Sequence, residues 1–275
     1  MTNVRALESP LAAWRSFRDI ARATQTLAAA QALQWSERSR RADEHLAWCE
    51  AVAAEYPLVL DSQRPRVVLA VGSDLGLCGP LNRLLAERCA AEQLDAAPTI
   101  LRIVVGARLA TLEPFADAVE LSAPSTLPAA RKLATDIEGL IEQLPDPLQL
   151  DLTIVLAGAV EGDGQPRVEV RTSETPDLEL QPAQQLWLDK TTQALAVDPP
   201  LAMQAHQLAR HARLVAALAR AITSENEARW RTMGRAFESA QRKIAEQEQR
   251  LRKLRQELIT QEMLEARQGA RGASL

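Results

Sequence analysis

The chain has 275 residues, 47% hydrophobic and 25% charged, with a formal net charge of −4, a balance that suits one good core plus extensions. Its longest apolar stretch, Leu152–Val160, is too short to cross a bilayer, and Met1–Pro10 lacks the apolar run of a signal peptide. Three cysteines, Cys49, Cys78 and Cys89, are an odd number without metal-type spacing and predict neither disulfides nor a metal site.

Proline and glycine divide the chain. Fourteen of its 15 prolines lie between Pro57 and Pro200, and no glycine occurs before Gly72. Proline lacks the N–H and clashes with the preceding turn, so it is kept out of helix interiors. The proline-free arms Leu11–Tyr56 and Leu201–Leu275 therefore predict two long helices, roughly 65 Å and 100 Å at 1.5 Å per residue. The expected organisation is a helix over 1–56, an α/β domain over 57–200 and a helix over 201–275.

The first arm repeats small or apolar residues every seven positions: Trp14, Ala21, Ala28, Trp35, Ala42, Cys49 and Tyr56. Its companion positions after Phe17 are poor: Thr24, Gln31, Arg38 and His45. Alone this helix would be weak. Alanine in the seam admits a close partner, which predicts pairing with the other arm; three connected helices, or unpaired arms, fit the same series.

The middle reads as α/β. Arg66–Gly72 (RVVLAVG), Thr99–Gly106 (TILRIVVG) and Leu150–Ala157 (LDLTIVLA) are short apolar runs rich in β-branched residues, the pattern of buried strands. Asn82–Gln93 and Pro128–Leu144 have helical spacing. Strand–helix–strand order predicts a parallel sheet with covering helices, and Glu161–Pro182 reads as hairpin or loop.

The C-terminal arm carries the clearer seam. Trp230, Phe237, Ile244, Leu251 and Leu258 recur every seven residues, with Met233, Ala240 and Leu254 at companion positions. Upstream, Leu208, Val215 and Ile222 form a second series one residue out of phase, which predicts drift near Thr223–Arg229. Residues 201–275 hold 14 Arg/Lys against 8 Asp/Glu, a net of +6, and residues 57–200 hold 11 against 21, a net of −10. A basic helix on an acidic domain suggests an acidic partner; a solvated Arg-rich face accounts for it equally well.

Ser73–Asn82, S-D-L-G-L-C-G-P-L-N, is a Gly-rich loop between a strand and a helix, where phosphates are often cradled. It has neither phosphate-loop spacing nor a lysine, and Pro80 removes a donor, so it predicts a tight turn. Cys78 would need a histidine base to act as a nucleophile, yet His45, His206 and His211 all lie on the arms, where they read as surface residues and form no metal set. The basic residues of the last arm alternate with Glu, and no aromatic stacking platform interleaves them, which argues against nucleic acid.

These pieces together resemble the gamma subunit of F-type ATP synthases. Ser73–Asn82 looks like the family signature after its first strand, with Asp74, Gly76, Leu77, Cys78, Gly79 and Asn82 in place; the family commonly has Arg at Leu75 and Gly at Pro80. Leu254–Glu265, L-R-Q-E-L-I-T-Q-E-M-L-E, looks like the terminal signature, and Ser224, Glu225, Ala228, Arg229 and Met233 fit S-E-x-x-A-R-x-x-x-M. The chain departs at Thr24-Gln25-Thr26-Leu27, where the family has a lysine, and at Ser239-Ala240, where it has Asn-Ala, which suggests a divergent branch such as an alternative ATPase operon.

The resemblance implies a long antiparallel coiled coil of the N- and C-terminal helices plus a central Rossmann-like parallel-sheet domain. It implies a non-catalytic rotor without cofactor, one copy per complex, with ATP synthase alpha and beta subunits, epsilon and the c-ring as partners. The implied location is peripheral, at the cytoplasmic face of a bacterial inner membrane. Arg255, Gln256, Thr260 and Glu262 would meet a catch loop of a beta subunit. Two other classes fit the same arms: a coiled-coil scaffold with an α/β head, and a nucleotide-dependent α/β enzyme.

Overall fold

A computed structural model of the chain describes residues 4–56, 64–92, 99–160, 166–172 and 199–272. The elements in chain order are α1 (Val4–Ala54), β1 (Arg66–Val71), α2 (Leu81–Glu92), β2 (Thr99–Val105), α3 (Ala107–Ala110), β3 (Val119–Leu121), α4 (Leu127–Glu142), β4 (Asp151–Val160), β5 (Pro166–Arg171) and α5 (Pro199–Gly272). The terminal helices have 51 and 74 residues. Pro10 lies inside α1, so that helix begins before the proline-free arm. The short elements α3 and β3 were not expected. Of the Glu161–Pro182 hairpin or loop, residues 166–172 are described and supply β5, and the rest lies outside the described residues.

The chain divides into two compact units, Ala28–Arg229 and a second made of Met1–Leu27 with Trp230–Leu275. The larger unit is built on one sheet, in the order β3-β2-β1-β4-β5. The first three pairings are parallel and β5 runs antiparallel to β4. The sheet is therefore mixed, not wholly parallel: the short link from β4 to β5 permits a hairpin, whereas a parallel return needs a crossover.

Both faces of this sheet are covered, which is why its strands read as continuous apolar runs. Val67, Leu69, Val71, Ile103, Val105, Ile154 and Leu156 share one core with Ala134, Ile137 and Ile141 of α4, Trp35 of α1, and Leu214, Leu218 and Ile222 of α5. The alternate residues Ala70, Val104, Val155 and Ala157 face Leu81, Leu85 and Cys89 of α2 with Leu109, Phe115 and Ala228. Thr126 caps α4, its hydroxyl accepting from the Ala129 amide at 3.3 Å, and proline stands in the first turn.

In the same unit α1 and α5 run antiparallel with alanine between them. Leu46, Cys49, Ala53 and Tyr56 pack against Ala205, Ala209, Ala212 and Ala216. Two ion pairs repeat this register seven residues apart, Arg213–Glu50 at 2.5 Å and Arg220–Asp43 at 2.7 Å. The series Leu208, Val215, Ile222 is not the seam there, since Leu208 is 50% exposed. Here α5 is gripped by α1 on one side and by the sheet core on another, so burial spreads around the helix instead of following one stripe.

The smaller unit is a two-helix coiled coil. Leu11 and Trp14 of α1 pack on Ile244 and Leu251 of α5, and Ala21, Met233 and Ala240 are also buried. The ion pairs Arg15–Glu248 at 2.6 Å and Arg255–Glu8 at 2.9 Å again mark an antiparallel register with a seven-residue step. Phe237 is half-buried beneath Arg22, whose guanidinium carbon lies 5.5 Å from the ring centroid. Leu258 is half-buried as well. Trp230 departs from the expected seam: it is 41% exposed, and the next residue toward the C-terminus that is buried is Met233, one turn further along the helix.

Candidate functional site

The glycine loop and the S-E-x-x-A-R stretch meet. Ser73–Pro80 reverses the chain between β1 and α2 with Gly76, Leu77 and Gly79 all at positive φ (69°, 59° and 64°), a backbone shape that glycine adopts without a Cβ penalty. Asn82, at the start of α2, closes the loop: its Oδ1 accepts from the Ser73 amide at 3.1 Å and its Nδ2 donates to Ser73 Oγ at 2.9 Å. Asp74 ties it to its neighbours, accepting from the amides of Ala107 at 2.8 Å and Ala123 at 3.0 Å. Gly106 completes the arrangement, because a Cβ there would stand 2.7 Å from the Ser73 nitrogen.

This closed loop presents the Gly76 carbonyl to α5. Arg229 donates to it through Nε at 3.3 Å and Nη2 at 3.2 Å. The same guanidinium donates to Asn226 Oδ1 at 3.2 Å and pairs with Glu225 one turn earlier. Asn226 is itself buried and donates to the Ile222 carbonyl at 2.8 Å. Burial pushes the Glu225 carboxyl above the usual carboxylate range, against the pull of Arg229, and the nearby Asp74 adds to the rise.

Cys78 lies beneath the loop, its Sγ 3.4 Å from Ser73 Oγ. Burial raises its thiol, with the Ser73 hydrogen bond opposing, so it holds its proton and packs as a small apolar residue. The loop's polar groups are turned onto its own neighbours, and Asp74 brings a negative charge, which is the wrong equipment for a phosphate cradle. Leu75 and Leu77 are the loop's exposed apolar residues, 77% and 56% accessible.

The structure thus brings together Asp74, Gly76, Cys78 and Asn82 with Glu225, Asn226 and Arg229. The sequence contained both motifs but assigned Glu225 and Arg229 no role; their spacing of four on one helix face was the available signal. His206 and His211 differ from the surface reading, whereas His45 is exposed as expected. His211 Nδ1 meets Glu138 Oε2 of α4 at 2.9 Å, and His206 Nε2 meets the Tyr56 carbonyl at 2.7 Å. The fold lays α5 across the sheet domain, so arm residues are not remote from it.

Arg255, Gln256, Thr260 and Glu262 are exposed on α5. Thr260 donates to the Gln256 carbonyl at 2.8 Å, and Arg255 is held by Glu8. Among the described residues no group of His, Cys, Asp and Glu could hold a metal ion, and no helix is long and apolar enough to cross a membrane.

A pair of long helices, with an α/β domain whose loop is hydrogen-bonded to the longer of them, defines a stalk subunit. Residues 3–272 match the family model described as ATP synthase, and the chain belongs to the gamma-subunit family, the non-catalytic central-stalk subunits of F-type ATP synthases. Such a subunit is peripheral within a membrane complex. No curated protein sequence matches the chain. Among solved structures it is similar to a rotor chain of the Euglena gracilis mitochondrial ATP synthase, at 15% identity and TM-score 0.68, covering 93% of this chain and 98% of that one. A chain of the OSCP/F1/c-ring structure of the same enzyme gives 16% identity and TM-score 0.70 over 95% and 91%. A central stalk/c-ring chain from Tetrahymena thermophila gives 18% and 0.56 over 79% and 99%. At these identities the likeness is one of fold.

Proposed function

We propose that this chain is the rotor of the central stalk, coupling ion flow through a membrane ring to ATP synthesis or hydrolysis in an alpha/beta hexamer. The observation that carries the reading is the family match across 3–272 on a chain with two uninterrupted helices of 51 and 74 residues. A torque-bearing part must resist twisting. Helices paired by packed alanines and heptad-spaced ion pairs do so, and the Arg229–Gly76 link fastens the α/β domain to α5 within its unit.

In this reading 1–56 and 201–275 form the shaft and 57–200 the domain that rests on the ring. Its partners are the alpha, beta and epsilon subunits and the c-ring, at the cytoplasmic face of a bacterial inner membrane. Arg255, Gln256, Thr260 and Glu262 engage a catch loop on a beta subunit. The planar guanidinium fork of Arg255 suits a carboxylate, and its exposed pair with Glu8 is weak enough to exchange.

The test is reconstitution with alpha and beta subunits. The wild-type chain co-purifies with them, and Arg255→Ala with Gln256→Ala assembles normally but lowers coupled turnover by about tenfold, the effect of losing roughly 1.4 kcal/mol of transition-state stabilisation. Failure to co-purify would sink the rotor reading. Normal turnover in the double variant would remove only the catch-loop assignment.

A further inference from the structure

Between α1, α4 and α5, within the Ala28–Arg229 unit, lies a cavity of about 450 Å³. Five basic side chains line it: Arg38, Arg41 and His45 from α1, Arg131 from α4 and His211 from α5. No carboxylate does, and the remaining lining is aliphatic. We infer that this cavity is an anion site for a compact diphosphate group, whether free pyrophosphate or the tail of a nucleotide.

Three observations carry the inference. First, the positive charge is only partly answered. Arg41 pairs with Glu37 at 3.1 Å, but that carboxylate also holds Arg40. His211 meets Glu138, which also faces Arg210 at 3.7 Å. Among the described residues Arg38 and Arg131 make no ion pair. A bound anion would supply the charge these side chains lack, and the aliphatic walls of the cleft strengthen that attraction.

Second, Arg38 is held in place by a contact that is not a carboxylate. The Arg38 guanidinium carbon lies 4.8 Å from the ring centroid of buried Trp35, a stacking contact that leaves its N–H fork free of an acidic partner. His211 is oriented through Nδ1 by Glu138 at the edge of the same cavity. Guanidinium forks match phosphate oxygens in pairs.

Third, Leu127, the first residue of α4, also lines the cavity. The 16-residue helix directs the positive end of its dipole there. The cavity is open to solvent on the side of Arg41, His45 and Arg131, and its volume of about 450 Å³ suits a compact polyanion better than an extended acidic peptide. The site uses none of the residues of the glycine loop, and it stands or falls independently of the rotor assignment.

The experiment is isothermal titration of the full chain with pyrophosphate at low ionic strength, with ADP in a parallel arm. Saturable one-to-one binding is expected, weakened at least about tenfold in Arg38→Gln/Arg131→Gln. That variant should keep the wild-type circular dichroism and melting temperature. Arg83→Gln, which alters an arginine paired with Glu87 on α2, should bind as the wild type does. Tighter binding of ADP than of pyrophosphate, lost in the same double variant, identifies a nucleotide as the source; equal or weaker binding identifies the free anion. Three results would overturn the site: no saturable heat, binding unchanged in the folded double variant, or a polyglutamate peptide binding more tightly than pyrophosphate.

Discussion

Arg229 and Gly76, 153 residues apart in the chain, are joined by two hydrogen bonds onto one carbonyl oxygen, at 3.3 Å and 3.2 Å. The acceptor is a backbone atom in a turn that Asn82 and Asp74 fix from both sides. The donor is a guanidinium that Glu225 and Asn226 hold on α5. A rigid acceptor facing an oriented donor gives a link whose strength rests on geometry as much as on charge.

Arg229→Ala should therefore loosen the loop and lower stability. It leaves the Gly76 carbonyl and the half-buried Glu225 carboxyl without their partner, and breaking a buried ion pair costs about 3–5 kcal/mol. Glu225 can protonate, which places the expected loss at the lower end. Arg229→Lys keeps the charge but not the fork and should fall between. Urea denaturation measures the loss of stability, and faster amide exchange at residues 74–79 measures the loosening of the loop. An Ala variant as stable and as protected as the wild type would show that the link contributes nothing.

Glu225 sets a pH dependence with a definite sign. Its folded carboxyl titrates above its unfolded value because burial disfavours the charge. The native state thus binds more protons than the unfolded state between those two values, and this residue's contribution falls as pH rises through that window, starting near the ordinary glutamate value of about 4.3. Glu225→Gln removes the titration. The melting temperature of the variant minus that of the wild type should rise from pH 4 toward neutrality. A difference that is flat or falls with pH would contradict the assignment.

The smaller unit's seam separates residues by burial, not by heptad position alone. Ile244 and Leu251 are each 7% exposed, against 41% for Trp230. Leu251→Ala should cost about 2–3 kcal/mol, the lower end of the range for buried leucine because a two-helix seam can partly collapse. Trp230→Ala should stay within about 1 kcal/mol. Thermal melts of the two variants decide it. A larger loss at Trp230 than at Leu251 would return Trp230 to the seam.

Much of the architecture was legible in the residues. The α1 series was apolar at every seventh position, and Ala21, Ala28, Trp35, Cys49 and Tyr56 are all buried. Three strands were readable because a strand buried on both faces is a continuous apolar run. Val119–Leu121 was not readable, since three residues carry no period, and it is a strand only because β2 offers Ile103–Val105 to pair with. Leu208 misled because a heptad reading assumes one partner, and in that stretch α5 has two.

The sequence by itself determined the long helices, the core strands and the tight turn, because proline, glycine and hydrophobic period act through local backbone geometry. It also carried both motifs of the site. Tertiary structure alone decided that Arg229 donates to Gly76, that His211 faces Glu138, and that Arg38, Arg131 and His211 share a cavity. Each joins residues from different elements, and which surfaces meet depends on how the sheet packs against α5. A single chain's local pattern does not encode that long-range geometry.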